Sequence, residues 1–368
     1  MRNITQSTCT VIPPHILQHV VEHGSSEQRR CAAATLSHAV ELSARRAAAL
    51  IAQPAPLPIG RQRRVFDAGH HQILPGKLVM TEDRASASDI AVKEAFDGSG
   101  ITYDFYNRVL LRHSIDDRGM RLDSTVHYGT RFDNALWNGK QMVYGDGDGT
   151  LFTSFTAHLD VIGHEFTHGV TENTAALEYH GEPGALNEHI SDALGIIIKQ
   201  WYQGVMARRS DWLIGRGLFG PSVRGVALRS MKAPGTAYDD PVLGKDPQPA
   251  HMRHYVHTAD DNGGVHINSG ILNRALYLAA TEIGGYAWDV PGPIWYGTLK
   301  TRLWPQSGFQ DFANGTVAVA GEMFGIGGSV QIAVASAWSR VGLHVPVSMT
   351  RFSGAGRRSR PSGSSSNA

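Results

Sequence analysis

The chain has 368 residues, of which 42% are hydrophobic and 18% charged, with a formal net charge of +1. That length and apolar fraction allow two lobes with a sizeable core, and the even mixture of acids and bases excludes a nucleic-acid surface or a strong field for charged substrates. No run approaches the ~18 apolar residues of a membrane-spanning helix, and Met1 to Pro14 lacks the apolar core of a recognisable secretory signal. Cys9 and Cys31 are the only cysteines, so the body of the chain holds no disulfide and its redox compartment is not readable from it.

In chain order, residues 15 to 51 read as two short helices. Ile16, Leu17, Val20 and Val21 keep helical spacing, Gly24-Ser25-Ser26 interrupts them, and Ser26 is the expected cap of a second, Ala- and Leu-rich run from Ala32 to Ile51. Gln53 to Gly60, with three prolines, cannot continue a helix and reads as a linker, followed by the basic cluster Arg61 to Arg64. From Arg64 to about Gly149 the pattern is strand-like and turn-rich, with strands expected at Lys77–Met80, Thr102–Tyr106, Thr125–Tyr128 and Gln141–Tyr144. From Ala157 onward helical patterning dominates, with apolar stretches at 190–206, 270–283 and 329–343. Arg351 to Ala368 is Ser-, Gly- and Arg-rich and reads as disordered. The chain therefore divides into a prosegment and linker (1–60), a strand-rich lobe (61–157), a helical lobe (158–347) and a tail (348–368). This is an α+β fold of two lobes with a cleft between them.

The helical lobe opens on Val161 to Thr171, which contains His164-Glu165-Phe166-Thr167-His168. Histidines four apart project from one face of a helix, so both imidazoles can hold one zinc ion, and the glutamate between them can act on water at the metal. Composition alone produces such a match in about one chain in thirty, so the neighbours decide. A zinc hydrolase needs a third protein ligand, and Gly184 to Gly195 reads G-A-L-N-E-H-I-S-D-A-L-G. Glu188 and Asp192 share a helical face there. Glu188 completes a His-His-Glu set, and Asp192 accepts the second ring N–H of a ligand histidine, with Asn187 beside them. Solvated carboxylates are the plain alternative, but the apolar flanks make the helix buried, and buried carboxylates need partners.

These two blocks resemble the thermolysin-like neutral zinc metallopeptidases. Asn134-Ala135-Leu136-Trp137-Asn138-Gly139, Tyr144-Gly145-Asp146-Gly147-Asp148-Gly149, Ala227 to Met231 and Asp261 to Gly270 extend the likeness over about residues 65 to 347. The short leader with Ile12-Pro13-Pro14-His15-Ile16-Leu17 is similar to the protealysin-like subgroup. The resemblance implies a two-lobed fold with the zinc cleft at the junction. It implies Glu165 as general base, His266 as transition-state donor held by Asp261, and Tyr179 as second donor. Asn134 and Ala135 would pair with an extended substrate and Arg229 with a substrate carbonyl. Phe155, Val161, Ile214 and Leu228 would line an apolar pocket for the residue after the cut.

The chain departs from the family where relatives carry a double calcium site. Asp160 and Asp211 remain, but Lys199 and Arg216 stand where acids are expected, so ion pairs are expected in place of calcium, with a different calcium site still open. The Pro13-Pro14 pair fixes an extended backbone, and an inhibitory prosegment inserted through Ile12–Ile16 is expected, acting in cis. Ligation of the zinc by a Cys9 thiolate is a further alternative. Ala49-Leu50, Leu50-Ile51 and Arg61–Arg64 are candidate processing sites. The expected activity is a monomeric, zinc-dependent neutral endopeptidase cutting before large hydrophobic residues, made as an autoprocessed precursor. A zinc aminopeptidase is disfavoured by the lack of an acidic exopeptidase motif, and a silent binding protein by the presence of Glu165, His266 and all three ligands. The resemblance implies secretion, with cytoplasmic retention as the alternative.

Overall fold

The structure, a computed structural model, describes residues 9–49, 60–84 and 87–347, with the backbone alone for 43–49. The expected linker at 53–59, the bonds at Leu50 and the tail beyond 347 lie outside the described residues. The strand-rich part is built on a five-stranded mixed sheet. Its strands are β1 (Arg63–Asp67), β2 (Lys77–Thr81), β3 (Leu122–Val126), β4 (Ala135–Trp137) and β5 (Met142–Tyr144), in spatial order β2-β1-β3-β5-β4. β1, β3 and β5 run parallel, while β2 and β4 close the two sides antiparallel.

One strand expectation is corrected. Thr102–Tyr106 belongs to α3 (Ile90–Arg108), a helix capped by Asp89, whose side chain accepts from Val92 N at 3.0 Å. The Thr, Tyr and Phe residues of this stretch favour strands in isolation. Here they sit on a helix whose buried face carries Ala95, Phe96, Ser99, Thr102, Tyr103 and Tyr106, and tertiary packing overrides propensity.

The helical part is made of α4 (Leu159–Glu172), α5 (Gly181–Gln203), α6 (Asp261–Ile283), α7 (Pro291–Thr301), α8 (Phe309–Phe324) and α9 (Ser329–Arg340). α4 is buried on every side along most of its length, because α3, α5 and β4 pack around it and enclose its polar as well as its apolar residues. It crosses α5 where Gly163 faces Gly195. A Cβ added at Gly195 would stand 2.6 Å from the Asp160 carbonyl, so glycine is what lets the two backbones approach. That close crossing brings the polar faces of α4 and α5 together. Among the described residues no helix is long and apolar enough to cross a membrane.

The leader forms α1 (Pro14–His23) and α2 (Ser26–Ala49). The cap of α2 is Ser25 rather than Ser26: Ser25 Oγ accepts from Gln28 N at 3.3 Å, and Gln28 Oε1 accepts from Ser25 N at 2.8 Å. α1 docks on the helical part, with His15 Nε2 3.2 Å from Tyr238 Oη and His19 Nδ1 2.9 Å from the Val242 carbonyl. α2 leans on the strand-rich part, where Thr35 Oγ1 accepts from Asp133 N at 3.2 Å and Leu42 packs with Phe132, Leu136 and Val143. The leader thus straddles the cleft.

Candidate metal centre and active site

His164 and His168 point from α4 at Glu188 of α5. Their Nε2 atoms are 3.0 Å apart, and each lies 3.4 Å from a Glu188 oxygen. All three side chains are essentially without solvent exposure. Each histidine uses its other nitrogen on an acceptor: His164 Nδ1 is 2.9 Å from Asp192 Oδ1, and His168 Nδ1 is 2.9 Å from Asn187 Oδ1 and 3.1 Å from Ser191 Oγ. Those contacts place the ring protons on Nδ1 and turn two Nε2 lone pairs toward each other. Two facing lone pairs and a buried Glu188 oxygen without a hydrogen-bond partner repel one another unless a cation lies among them. Burial holds His164 near 3, the neutral form a ligand requires. A donor set of two imidazoles and one carboxylate fits zinc.

Asp192 is fully buried and serves two groups. Besides His164 it takes Arg229 in a two-point ion pair, with Nε–Oδ2 at 2.8 Å and Nη2–Oδ1 at 2.7 Å, and accepts from Asn273 Nδ2 at 2.8 Å. Burial opposes its charge, but Arg229 and His164 outweigh it and hold the carboxyl below its ordinary range. Ser191 and Asn273 were not singled out in the sequence. Ser191 lies inside the quoted block, one residue before Asp192, whereas nothing local marks Asn273.

Glu165 lies on the same helix with no solvent exposure, and neither carboxylate oxygen makes a hydrogen bond among the described residues. Burial, then nearby Cys9 and Glu188, push its pKa well up. His266 comes from the first turn of α6, just after Asp261, Asn262, Gly263 and Gly264, which all have positive φ. This left-handed turn folds Asp261 back, so that its Oδ1 is 2.6 Å from His266 Nδ1 and its Oδ2 accepts from His266 N at 2.8 Å. Gly264 also lacks room for a side chain, since a Cβ would stand 2.8 Å from Asn268 Nδ2. Burial lowers the His266 pKa, but Asp261 and Glu188 outweigh it and raise it to about 9. His266 Nε2 is 3.3 Å from Tyr179 Oη, and Tyr179 donates to Glu188 Oε1 in a short contact.

The edge of β4 faces this cluster, and the leader lies along it. Thr10 bridges Leu136 in antiparallel sense, Val11 N donates to the Ala135 carbonyl at 3.1 Å, and Ile12 N donates to Asn134 Oδ1 at 2.9 Å. Asn134 Nδ2 donates back to the Ile12 carbonyl at 3.2 Å, Arg229 Nη1 to the Val11 carbonyl at 3.1 Å, and His266 Nε2 is 2.9 Å from the Thr10 carbonyl. The inserted stretch is therefore Thr10–Ile12 and not Ile12–Ile16. Pro13 is extended at φ −61°, ψ 144°, and Pro14 already begins α1, because its fixed φ suits a first helical position. Phe155, Val161, Ile214 and Leu228 are all buried at 1% exposure or less within the main core cluster. Ile214 pairs with Arg229 in a short antiparallel ladder, and Leu228 N donates to the Ile214 carbonyl at 3.0 Å. Lys199 Nζ meets Asp160 Oδ2 at 3.0 Å, and Arg216 Nη1 meets Asp211 Oδ2 at 3.0 Å.

The family model for the thermolysin metallopeptidase catalytic domain matches residues 60–172, that for the thermolysin metallopeptidase alpha-helical domain matches 175–343, and that for the protealysin propeptide matches 9–46. An extracellular metalloprotease of Pectobacterium carotovorum subsp. carotovorum is 48% identical over 92% of this chain and 97% of its own. The chain belongs to the thermolysin family of metallopeptidases. Protease PrtS of a Photorhabdus strain is 42% identical over 91% of this chain and 92% of its own. The solved precursor of protealysin, a metalloproteinase from Serratia proteamaculans, superposes with a TM-score of 0.83 at 48% identity, covering 91% of this chain and 99% of that one. The protein is thus a metalloendopeptidase of this family carrying its propeptide, and the family's catalytic metal is zinc.

Proposed function

We propose that the protein is a zinc endopeptidase that cuts internal peptide bonds before large hydrophobic residues, and that it is made as an autoprocessed precursor. The observation that carries this reading is the extended segment Thr10–Ile12. Ala135, Asn134, Arg229 and His266 hold it through its main chain, so the cleft recognises backbone before it recognises any side chain.

His164, His168 and Glu188 would hold the zinc, which when bound activates water and polarises the substrate carbonyl. Glu165 is the general base: its buried carboxylate, with its proton affinity raised, can take a proton from attacking water and pass it to the leaving nitrogen. His266 and Tyr179 donate to the oxygen that becomes negative; Asp261 accepts from His266 Nδ1–H and favours the doubly protonated ring, so that Nε2 also carries a proton to donate. Asp192 positions His164 and Arg229 together, and Asn187 positions His168. Arg229 and Asn134 fix the direction and register of the peptide.

Phe155, Val161, Ile214 and Leu228 are the lining we assign to the pocket after the cut. Their apolar surface favours Leu, Phe or Ile there and penalises charge. The Lys199–Asp160 and Arg216–Asp211 pairs replace the family's double calcium site in this reading. Relatives named as extracellular proteases support export of this one. A peptide library tests the reading: cleavage before Leu, Phe or Ile, abolished by a zinc chelator, is expected, and a preference for charged residues would overturn the pocket assignment.

A further inference from the structure

The leader does more than cover the cleft: it carries the polarity and spacing of a substrate. Of the leader carbonyls that the body grips among the described residues, Thr10 O, Val11 O and Ile12 O, the first alone meets a residue in contact with Tyr179 and Glu188. His266 Nε2 lies 2.9 Å from Thr10 O, 3.3 Å from Tyr179 Oη and 3.6 Å from Glu188 Oε2. The next carbonyl, Val11 O, is held by Arg229, whose guanidinium is committed to Asp192. The one after, Ile12 O, is held by Asn134 on the edge strand. A peptide bond reacts where its own oxygen meets the oxyanion donors, so the spacing singles out one bond.

We propose that the prosegment is an internal substrate, with the Thr10–Val11 peptide bond in the reacting position and the enzyme's first self-cut made there. This rests on the endopeptidase reading above. Water adds across the bond: its oxygen joins the Thr10 carbonyl carbon, the C–N bond breaks, and the protons end on the Val11 nitrogen. The products are a Thr10 carboxylate and a Val11 ammonium group. Val11, fully buried and apolar, takes the place of the residue after the cut; it is smaller than the Leu, Phe or Ile preferred there but satisfies the exclusion of charge. The new end is not set loose at once. Asn134 still grips Ile12, and α1 stays docked through His15 and His19. The first cut therefore frees residues 1–10 and leaves the rest of the prosegment seated, and a later cut must remove it.

The test is intact-mass and N-terminal peptide analysis of the full chain loaded with zinc, sampled over time, with an added protein substrate in a parallel tube. A species beginning at Val11 is expected, forming at a rate that does not change over a tenfold range of protein concentration, because reaction in cis is unimolecular. Glu165→Ala should give none. Val11→Asp should slow this cut by at least about tenfold, since a charge must enter an apolar pocket. Should that variant fold poorly, amide exchange on the metal-free Glu165→Ala chain reads the register directly: Val11 and Ile12 amides are expected to be protected, and rapid exchange at both would overturn the proposal. A chain that digests the added substrate while Thr10–Val11 stays intact also overturns it. If neither the substrate nor the prosegment is cut, the endopeptidase reading itself fails.

Discussion

Arg229 grips Asp192 through two hydrogen bonds, at 2.7 and 2.8 Å, and the Asp192 oxygen that takes the shorter one also takes His164 Nδ1 at 2.9 Å. One buried carboxylate thereby couples His164, a ligand in the metal site proposed above, to an arginine that holds the leader's Val11 carbonyl. In the proposed mechanism the alignment of the metal and the alignment of the peptide depend on the same group.

Asp192→Asn tests that coupling. The amide retains the shape but presents only one oxygen and no charge, so His164 loses its orientation and Arg229 its counter-charge. Zinc affinity is expected to fall about 10–100-fold by competition with a chelator. Asp192→Ala leaves Arg229 buried and unpaired and is expected to cost about 3–5 kcal/mol in denaturant unfolding. Unchanged zinc affinity in Asp192→Asn would contradict the role.

Glu165 and His266 should separate cleanly in kinetics. Glu165→Ala is expected to lower kcat by at least about a hundredfold while zinc remains bound. His266→Phe is expected to lower kcat by about 10²–10³ with little change in KM, because its donor strengthens only as the oxyanion forms. A change confined to KM in either variant would assign that residue to binding instead.

Lys199 and Asp160 form a largely buried pair that Gly215 N also joins, at 3.0 Å to Asp160 Oδ2. Calcium titration is expected to leave Tm unchanged, and Lys199→Ala to lower stability by about 3 kcal/mol, because the remaining charge is left uncompensated. A large rise in Tm with added calcium would show that the site still binds the ion.

His127 supplies a pH dependence remote from the metal. Its Nδ1 is 2.9 Å from Asp146 Oδ1 and its Nε2 is 3.1 Å from Asp89 Oδ2, and His70 also reaches Asp146 at 3.3 Å. The Asp146 hydrogen bond, opposed by partial burial, raises its pKa to about 9. The folded value lies above the unfolded one, so its contribution is complete below about pH 6.5 and fades as pH rises through 9. With the outer carboxylates part-exposed, about 1 kcal/mol is a realistic size after screening. The stability gap between wild type and His127→Gln should therefore be full at pH 6 and nearly closed at pH 10. A gap that grows with pH would reverse the sign and refute it.

The site was legible in the sequence wherever it obeys helical spacing. His164 and His168, and likewise Glu188 and Asp192, lie four apart, so each pair shares a face whatever the rest of the chain does. What remained hidden depends on distant partners. Nothing near Thr102–Tyr106 says that its strand formers will sit on a helix packed against the sheet. The crossing at Gly163 and Gly195 and the Asn273–Asp192 bond each need two separated segments to be placed together. The register of the leader is the clearest case. Thr10 opposite Leu136 is a pairing across the whole intervening chain, and a shift of one residue would have put a different carbonyl against His266.

In the proposed mechanism His164, His168 and Glu188 hold a zinc on which Glu165-dependent peptide hydrolysis relies. Mass spectrometry of the products from an unstructured protein substrate, with enzyme alone, with a zinc chelator, and with Glu165→Ala, tests it most directly. Internal cuts before Leu, Phe or Ile are expected in the first case and no cuts in the other two, with zinc still bound to Glu165→Ala. Cleavage that survives either the chelator or the substitution, or that removes residues only from the substrate's N-terminus, would contradict it.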